Sequence, residues 1–352
     1  MPIPELLEKL ITAPGPSGRE TQPARVWRDW CGGFADEVGA DSVGSSFARV
    51  KGTSGGPTLA VIGHIDEIGL HVSHIDDDGY LKFGEVGGWD SVVLVGQRVR
   101  LDTRGGPIVG VIGRKPIHLI KGADREKAPP TKDLHIDIGA RDGDEARELV
   151  RIGDAGVIDA APVELPNGRL ISRSLDNRIG CYVAAEAARL VAQDGGAPGD
   201  VLALAVAQEE TTFAGARTSA FGLAPDLAIV VDVTHATDQP GVELGPITKH
   251  KLGSGPVVAR GTSLHPFVSE LLYDIAEEQE LAFTVESLGR GTGTDADAVH
   301  ASRAGIPTGL VSVPLRYMHS PVELVSLADI EIAAELIAAF ARRLEPGMSF
   351  QR

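Results

Sequence analysis

Four apolar runs in this sequence each lead into a histidine or a carboxylate. LAVIG (59–63) runs into His64-Ile65-Asp66-Glu67, and VLALAVA (201–207) runs into Gln208-Glu209-Glu210. LAIVV (227–231) ends at Asp232, and GLVSV (309–313) reaches His319 through a short connection. A fifth group, Asp176, stands just before a helical pattern. Carboxylates gathered at one place raise one another's pKa unless a cation joins them. Two imidazoles among several carboxylates suit a borderline divalent ion such as Zn²⁺, Co²⁺ or Mn²⁺. Cysteine is absent from the set, so an open catalytic site with a position left for water fits better than a closed structural zinc site. Glu209 and Glu210 are adjacent, and at a strand end their side chains start in opposite directions. One of them can ligate a metal while the other faces a bound water.

These groups need elements that bring them together. The four runs read as buried strands, and helical spacing covers residues 178–193, 265–280 and 327–344. Alternation of this kind predicts an α/β fold, a catalytic domain whose largely parallel sheet is sandwiched by helices. In such sheets ligands bind beyond the carboxyl ends of the strands, where all of these groups would converge. The middle of the chain breaks the rhythm with short alternating segments, an Asp78-Gly79 hairpin signal and one helical stretch over 143–152. The expected organisation is a catalytic domain from residues 1–69 and 162–352, with an inserted β-rich, barrel-like domain over 70–161. At the start, Ile3, Leu6, Leu7, Leu10 and Ile11 follow helical spacing, so a docked amphipathic helix is expected rather than a signal peptide.

Composition excludes several functions. The chain has 352 residues and a formal net charge of −16, with no compact basic stripe, so nucleic acid is not an expected partner. No apolar run approaches the roughly 20 residues of a membrane-spanning helix. Two cysteines, Cys31 and Cys181, are too few for a disulfide scaffold and read as small buried side chains of a cytoplasmic protein. The glycine-rich segment before Asp295 lacks the lysine of a phosphate-binding loop. The histidines other than His64 and His319 read as structural or exposed.

Six motifs carry a closer resemblance: GHIDEIG (63–69), LDNRIG (175–180), AQEE (207–210), VVDV (230–233), GTGTDADAV (291–299) and RYMHSPVE (316–323). In this order they resemble the M42 metallo-aminopeptidases, the tetrahedral or glutamyl aminopeptidases, some of which carry an endoglucanase label. The resemblance implies two divalent metal ions per subunit, zinc first, with cobalt or manganese as alternatives. It implies that Asp176 bridges them, that His64 and Asp232 complete one site, and that Glu210 and His319 complete the other. Glu209 would be the general base, and Asp66 would hold the His64 ring nitrogen that does not face the metal. Asp295 is a candidate to hold the substrate ammonium or to support a ligand. Short peptides would be the substrates, and the assembly a homo-oligomer, a dodecamer in this family. The chain departs from the family after the paired glutamates, where Thr211-Thr212-Phe213 stands in place of a Val-Gly-x-Arg pattern, so the shape of the adjoining pocket is open. The alternatives are a related carboxypeptidase or deacylase, a glycoside hydrolase, or a metal-dependent assembly without catalysis. A sugar cleft is disfavoured by an aromatic content of only 5%.

Overall fold

The continuous apolar runs become the centre of an eight-stranded sheet in the computed structural model, which describes residues 2–242 and 248–351. The strands lie in the order Glu37–Ala40, Ser46–Val50, Gly199–Val206, Gly56–His64, Leu227–His235, Thr308–Leu315, Val257–Gly261 and Thr284–Leu288. The four central strands are parallel. Antiparallel pairing enters only toward the flanks, where Ser46–Val50 meets Gly199–Val206 and Val257–Gly261 meets Thr308–Leu315. The middle of each central strand is buried and largely apolar because helices cover both of its faces. Leu175–Gln193, Pro266–Glu278 and Leu327–Arg342 pack on one side with the amino-terminal helices Glu5–Thr12 and Thr21–Cys31. Ala214–Leu223 and Ala296–Val299 cover the other side. The fold is therefore the α/β arrangement the sequence predicts.

Between the central sheet's first parallel strand and the helix Leu175–Gln193, the chain builds a closed six-stranded barrel. Its strands run in the order Gly69–Ile75, Leu81–Val86, His135–Asp137, Gly106–Gly113, Arg98–Thr103 and Ala155–Ile158. They enclose a separate apolar core that includes Leu70, Leu81, Val99, Leu101 and Ile136. Closure pairs the strand edges that an open sheet of this size would expose. The Asp78-Gly79 signal does mark a hairpin, with Gly79 at φ 88° in the left-handed region. The helix expected over 143–152 is shorter, Gly143–Leu149, with the Asp142 carboxylate capping it by accepting from the Glu145 amide. Among the described residues no helix is long and apolar enough to cross a membrane. Cys31 and Cys181 are both buried, and burial pushes both thiols up.

One close approach decides where Asp176 sits. A Cβ on Gly63, in the strand that ends at His64, would fall 2.2 Å from the carbonyl carbon of Gly180. A Cβ on Gly180 would in turn fall 2.6 Å from the Val231 carbonyl oxygen. Only paired glycines let the helix Leu175–Gln193 lie this close to the strand ends. Gly63→Ala is expected to destabilise the fold by about 1–3 kcal/mol through overpacking, read as a lower melting temperature. Gly222→Ala is the control, since a Cβ there meets nothing within 4 Å.

Candidate metal centre

His64 is the last residue of its strand, and Asp232 lies midway along Leu227–His235, past the end of the adjoining register. Asp176 enters from the start of the helix Leu175–Gln193, where it and Asn177 depart from helical geometry. Asn177 secures that start, donating to the Val231 carbonyl at 2.8 Å and accepting from the Gly180 amide at 2.8 Å. His319 follows the strand Thr308–Leu315 at φ 59°. Glu209 and Glu210 do not continue a strand, as alternation suggested. Gln208 turns into the left-handed region at φ 61°, and the two glutamates open the one-turn helix Glu209–Thr212. Their side chains still diverge, now because of helical rotation.

These residues line one cavity of about 500 Å³. Asp176 divides its two oxygens between the histidines: Oδ1 is 3.1 Å from His64 Nε2, and Oδ2 is 3.5 Å from His319 Nε2. Glu210 Oε2 lies 3.5 Å from His319 Nε2, and Glu209 Oε2 lies 3.7 Å from His64 Nε2. Both rings are held from behind. His319 Nδ1 pairs with the Gly88 carbonyl at 2.7 Å, and His64 Nδ1 lies 3.2 Å from the Asp66 carbonyl and 3.4 Å from its carboxylate. With each Nδ1 occupied by an acceptor, each Nε2 is the nitrogen presented to the cavity. Asp66 does more than meet His64, because its carboxylate also accepts from the Glu209 amide at 3.0 Å and the Glu210 amide at 3.2 Å.

Two carboxylates that the sequence reading did not single out complete the frame. Glu323 accepts from the His319 amide at 3.0 Å and from the Asp176 amide at 3.1 Å. Its signal in the sequence is an acid four residues after His319 in an otherwise apolar segment. Glu67 is buried beneath the site, paired with Arg173 and, at 3.3 Å, with the fully buried Arg178. It also accepts from the Gly15 amide at 3.0 Å. Asp295 stands at the start of Ala296–Val299, fully buried, with its Oδ1 lacking a hydrogen-bond partner. In the glycine-rich segment before it, the amides of Thr292 and Gly293 donate to Asp297 at 2.8 and 2.9 Å, which occupies the groups a phosphate would need.

The electrostatics ask for a cation. Burial, reinforced by neighbouring acids, pushes Glu209 up to about 10 and Glu210 up to about 8. Asp232 is pushed up to about 7 by burial and by Asp176. Burial likewise raises Asp295 and Glu323 well above the carboxylate range. Asp176 goes the other way: burial opposes its charge, but His319 and His64 hold it below the usual range. Hydrogen bonding to Asp176 raises His319 to about 9. His64 is also raised, because Glu209, Asp176 and Asp66 outweigh the effect of burial. A buried cluster of this sign is stable when positive charge enters it. Glu210 Oε1 is buried without any hydrogen-bond partner, an acceptor that a cation would satisfy. Ligand atoms of His64, Asp176 and Glu210 lie within 4.8 Å of one another, as do those of His64, Glu209 and Asp232. The residues present therefore fit a divalent metal.

A histidine–carboxylate cluster at the carboxyl edge of a helix-flanked sheet, with a barrel inserted beside it, defines a class of hydrolase equipped to hold divalent metal. Residues 44–336 match the M42 glutamyl aminopeptidase family, and the chain belongs to that family of peptide-bond hydrolases. It is 37% identical over 345 residues to the lysyl aminopeptidase of Pyrococcus furiosus, covering 97% of each chain. Its fold matches the TET aminopeptidase of the marine sediment archaeon Thaumarchaeota archaeon SCGC AB-539-E09 with a TM-score of 0.91 at 35% identity, over 97% of this chain and 96% of that one. The TET1 peptidase of Pyrococcus horikoshii, which can assemble into a tetrahedron or a large octahedral shell, matches with a TM-score of 0.84 at 32% identity, over 97% and 99% of the two chains.

Asp66→Asn tests the frame around the cluster. An asparagine side chain has one acceptor for the two amides, and its own N–H groups would oppose the second. Metal affinity, measured by competition with a chelator, is expected to fall by about 10–100-fold, the range typical of such supporting partners. Unchanged affinity would show that Asp66 plays no part in holding the ligands.

Proposed function

We propose that this chain is a two-metal aminopeptidase that removes the first residue from short peptides. The observation behind the reading is the division of Asp176 between two histidines, with further carboxylates on both sides. In this reading His64, Asp232 and Asp176 hold one ion and Glu210, His319 and Asp176 hold the other, with zinc the first candidate and cobalt or manganese next. When bound, such a pair supplies a water acidified toward neutral pH and polarises the scissile carbonyl. Glu209 takes the proton of that water and returns it to the leaving amine. Asp66, through the Glu209 amide, keeps this carboxylate turned toward the cavity. Asp176 keeps its negative charge because both imidazoles face it.

The barrel has a proposed role in assembly. Of the twelve large apolar side chains exposed among the described residues, seven lie on the insert: Tyr80, Val92, Val109, Val111, Leu119, Leu149 and Ile152. Apolar surface of this kind suits a contact with another subunit, and a homo-oligomer, a dodecamer first, is the assembly we assign. Light scattering on metal-loaded protein is expected to give a multiple of the 36.9 kDa chain. A fully active monomer would overturn the assignment.

Glu209 and Glu210 separate chemistry from metal binding. Elemental analysis of loaded wild-type protein should approach two ions per chain. Glu209→Gln should retain them while turnover of an aminoacyl-p-nitroanilide falls by about 10²–10⁴-fold, the usual contribution of a placed general base. Glu210→Gln should lose or weaken one ion and regain part of its activity with excess metal. Near wild-type turnover in Glu209→Gln would defeat the mechanism. Cleavage of N-acetylated but not free-amine substrates would replace the aminopeptidase reading by a deacylase.

A further inference from the structure

One buried acid has no task in either the metal-competent cluster or its frame. Glu20 precedes the helix Thr21–Cys31, is buried, and does not line the cavity. Its Oε1 accepts from the Gly18 amide at 2.6 Å, and the carboxylate also accepts from the Gln208 amide. Gln208 is the residue whose left-handed backbone turns the chain into Glu209 and Glu210. Among the described residues no lysine or arginine is paired with Glu20. Burial pushes it up to about 6, with Asp66 adding to the rise and the two amides opposing it. A buried acid beside another acid, without a counter-ion, depends on such donors.

Glu20 completes a series. Four consecutive amides at this turn donate to side chains from remote segments. Ala207 donates to Ser45 Oγ at 3.2 Å, Gln208 to Glu20, Glu209 to Asp66 Oδ1 at 3.0 Å, and Glu210 to Asp66 Oδ2 at 3.2 Å. Successive amides around a left-handed residue form a concavity that suits an anion, and here carboxylates of the protein fill it. The turn needs this support, because a residue with a Cβ resists the left-handed region and Gln208 is not glycine. Asp66 holds the two glutamates but leaves the turning residue before them to Glu20. The segment that carries Glu20 is itself fastened to the strand end. The Gly15 and Ser17 amides donate to Glu67, and the Ser17 hydroxyl meets Thr211 Oγ1 at 3.0 Å.

We propose that Glu20 is a positioning residue for Glu209, bracing the Gln208 turn that aims this carboxylate into the cavity. The inference rests on the reading of Glu209 as the general base. It adds to that reading a side chain of the amino-terminal segment that does not itself reach the cavity.

Glu20→Met, similar in length but without a carboxylate acceptor, tests it on metal-loaded protein. Its kcat on an aminoacyl-p-nitroanilide should fall by about 10–100-fold, the scale of a misplaced catalytic group, with KM within about twofold and ion content unchanged. Glu20→Gln keeps an acceptor oxygen and should recover most of the rate. Combining Glu20→Met with Glu209→Gln separates positioning from a general effect on the fold. If Glu20 acts through Glu209, the double variant should be as slow as Glu209→Gln alone. Multiplied losses would overturn the proposal, as would wild-type kcat in Glu20→Met or equal losses in Glu20→Met and Glu20→Gln. Should Glu20→Met not fold, Glu20→Asp takes its place. One methylene shorter, it draws the carboxylate back from the Gln208 amide, and the same loss and the same non-additivity are expected. Hydrogen exchange gives a readout independent of turnover. Peptides covering Gln208–Glu210 should exchange about tenfold faster or more in Glu20→Met, while those of the strand Thr284–Leu288 stay unchanged. Unaltered exchange at the turn would overturn the proposal. If the wild type cleaves no free-amine substrate, the aminopeptidase reading fails, and exchange still decides whether Glu20 braces the turn.

Discussion

The structure turns on negative charge that has been taken out of water. Asp66, Asp176, Asp232 and Asp295 are buried around His64, with Glu209 and Glu210 at the cavity wall and Glu323 buried behind. In a medium of low polarity such a group either binds protons, pairs with imidazolium, or takes up a metal. The protein's own positive charges relieve Asp176 but leave Glu209, Glu210 and Asp232 raised. Every other element of the site can be read as a means of holding that unfavourable arrangement in one geometry.

Two buried carboxylates do the holding without facing the cavity. Asp66 gathers the amides of Glu209 and Glu210, and Glu323 gathers those of Asp176 and His319. Asp66 thus orients the two adjacent glutamates from 143 and 144 residues away, and Glu323 ties His319 to Asp176, which lies 147 residues from Glu323. A third, Glu67, ties the segments that carry Gly15, Arg173 and Arg178 beneath the strand end. Backbone amides satisfy Asp66 and Glu323, whereas Glu67 combines one backbone amide with two guanidinium groups. All three show how a buried acid is tolerated only when its acceptors are met.

The parts that were legible in the sequence are those with a local signature. Continuous apolar runs identified the central strands because a strand covered on both faces admits no polar alternation. The change from an apolar run to His64, Glu209 or Asp232 marked the sheet's carboxyl edge, and the structure brings those residues to one cavity together with Asp176 and His319. What remained hidden depends on contacts between remote positions. Glu67 meets Arg173 across 106 residues, and Glu323 meets Asp176 across 147. No local pattern distinguishes Glu67 from a solvated acid, and for Glu323 the local sign is only its apolar neighbours. Helical spacing located the regular part of the helix from Arg178 onward, but not the non-helical lead-in at Asp176 and Asn177, which is held by partners remote in sequence. Glu209 and Glu210 were read on a strand because the run before them is one, and the left-handed turn at Gln208 has no glycine to announce it.

The hydrogen bond from His319 Nδ1 to the Gly88 carbonyl crosses from the sheet to the loop that follows barrel strand Leu81–Val86. The imidazole's aim is thus set by a domain that supplies none of the candidate ligands. Any displacement of the barrel relative to the sheet changes the orientation of His319, and with it the free energy of ion uptake. Linkage is reciprocal: were His319 to hold an ion as proposed, that ion would in turn restrain the loop that carries Gly88. The barrel and the sheet edge thus meet at the candidate ligand itself, through a single hydrogen bond.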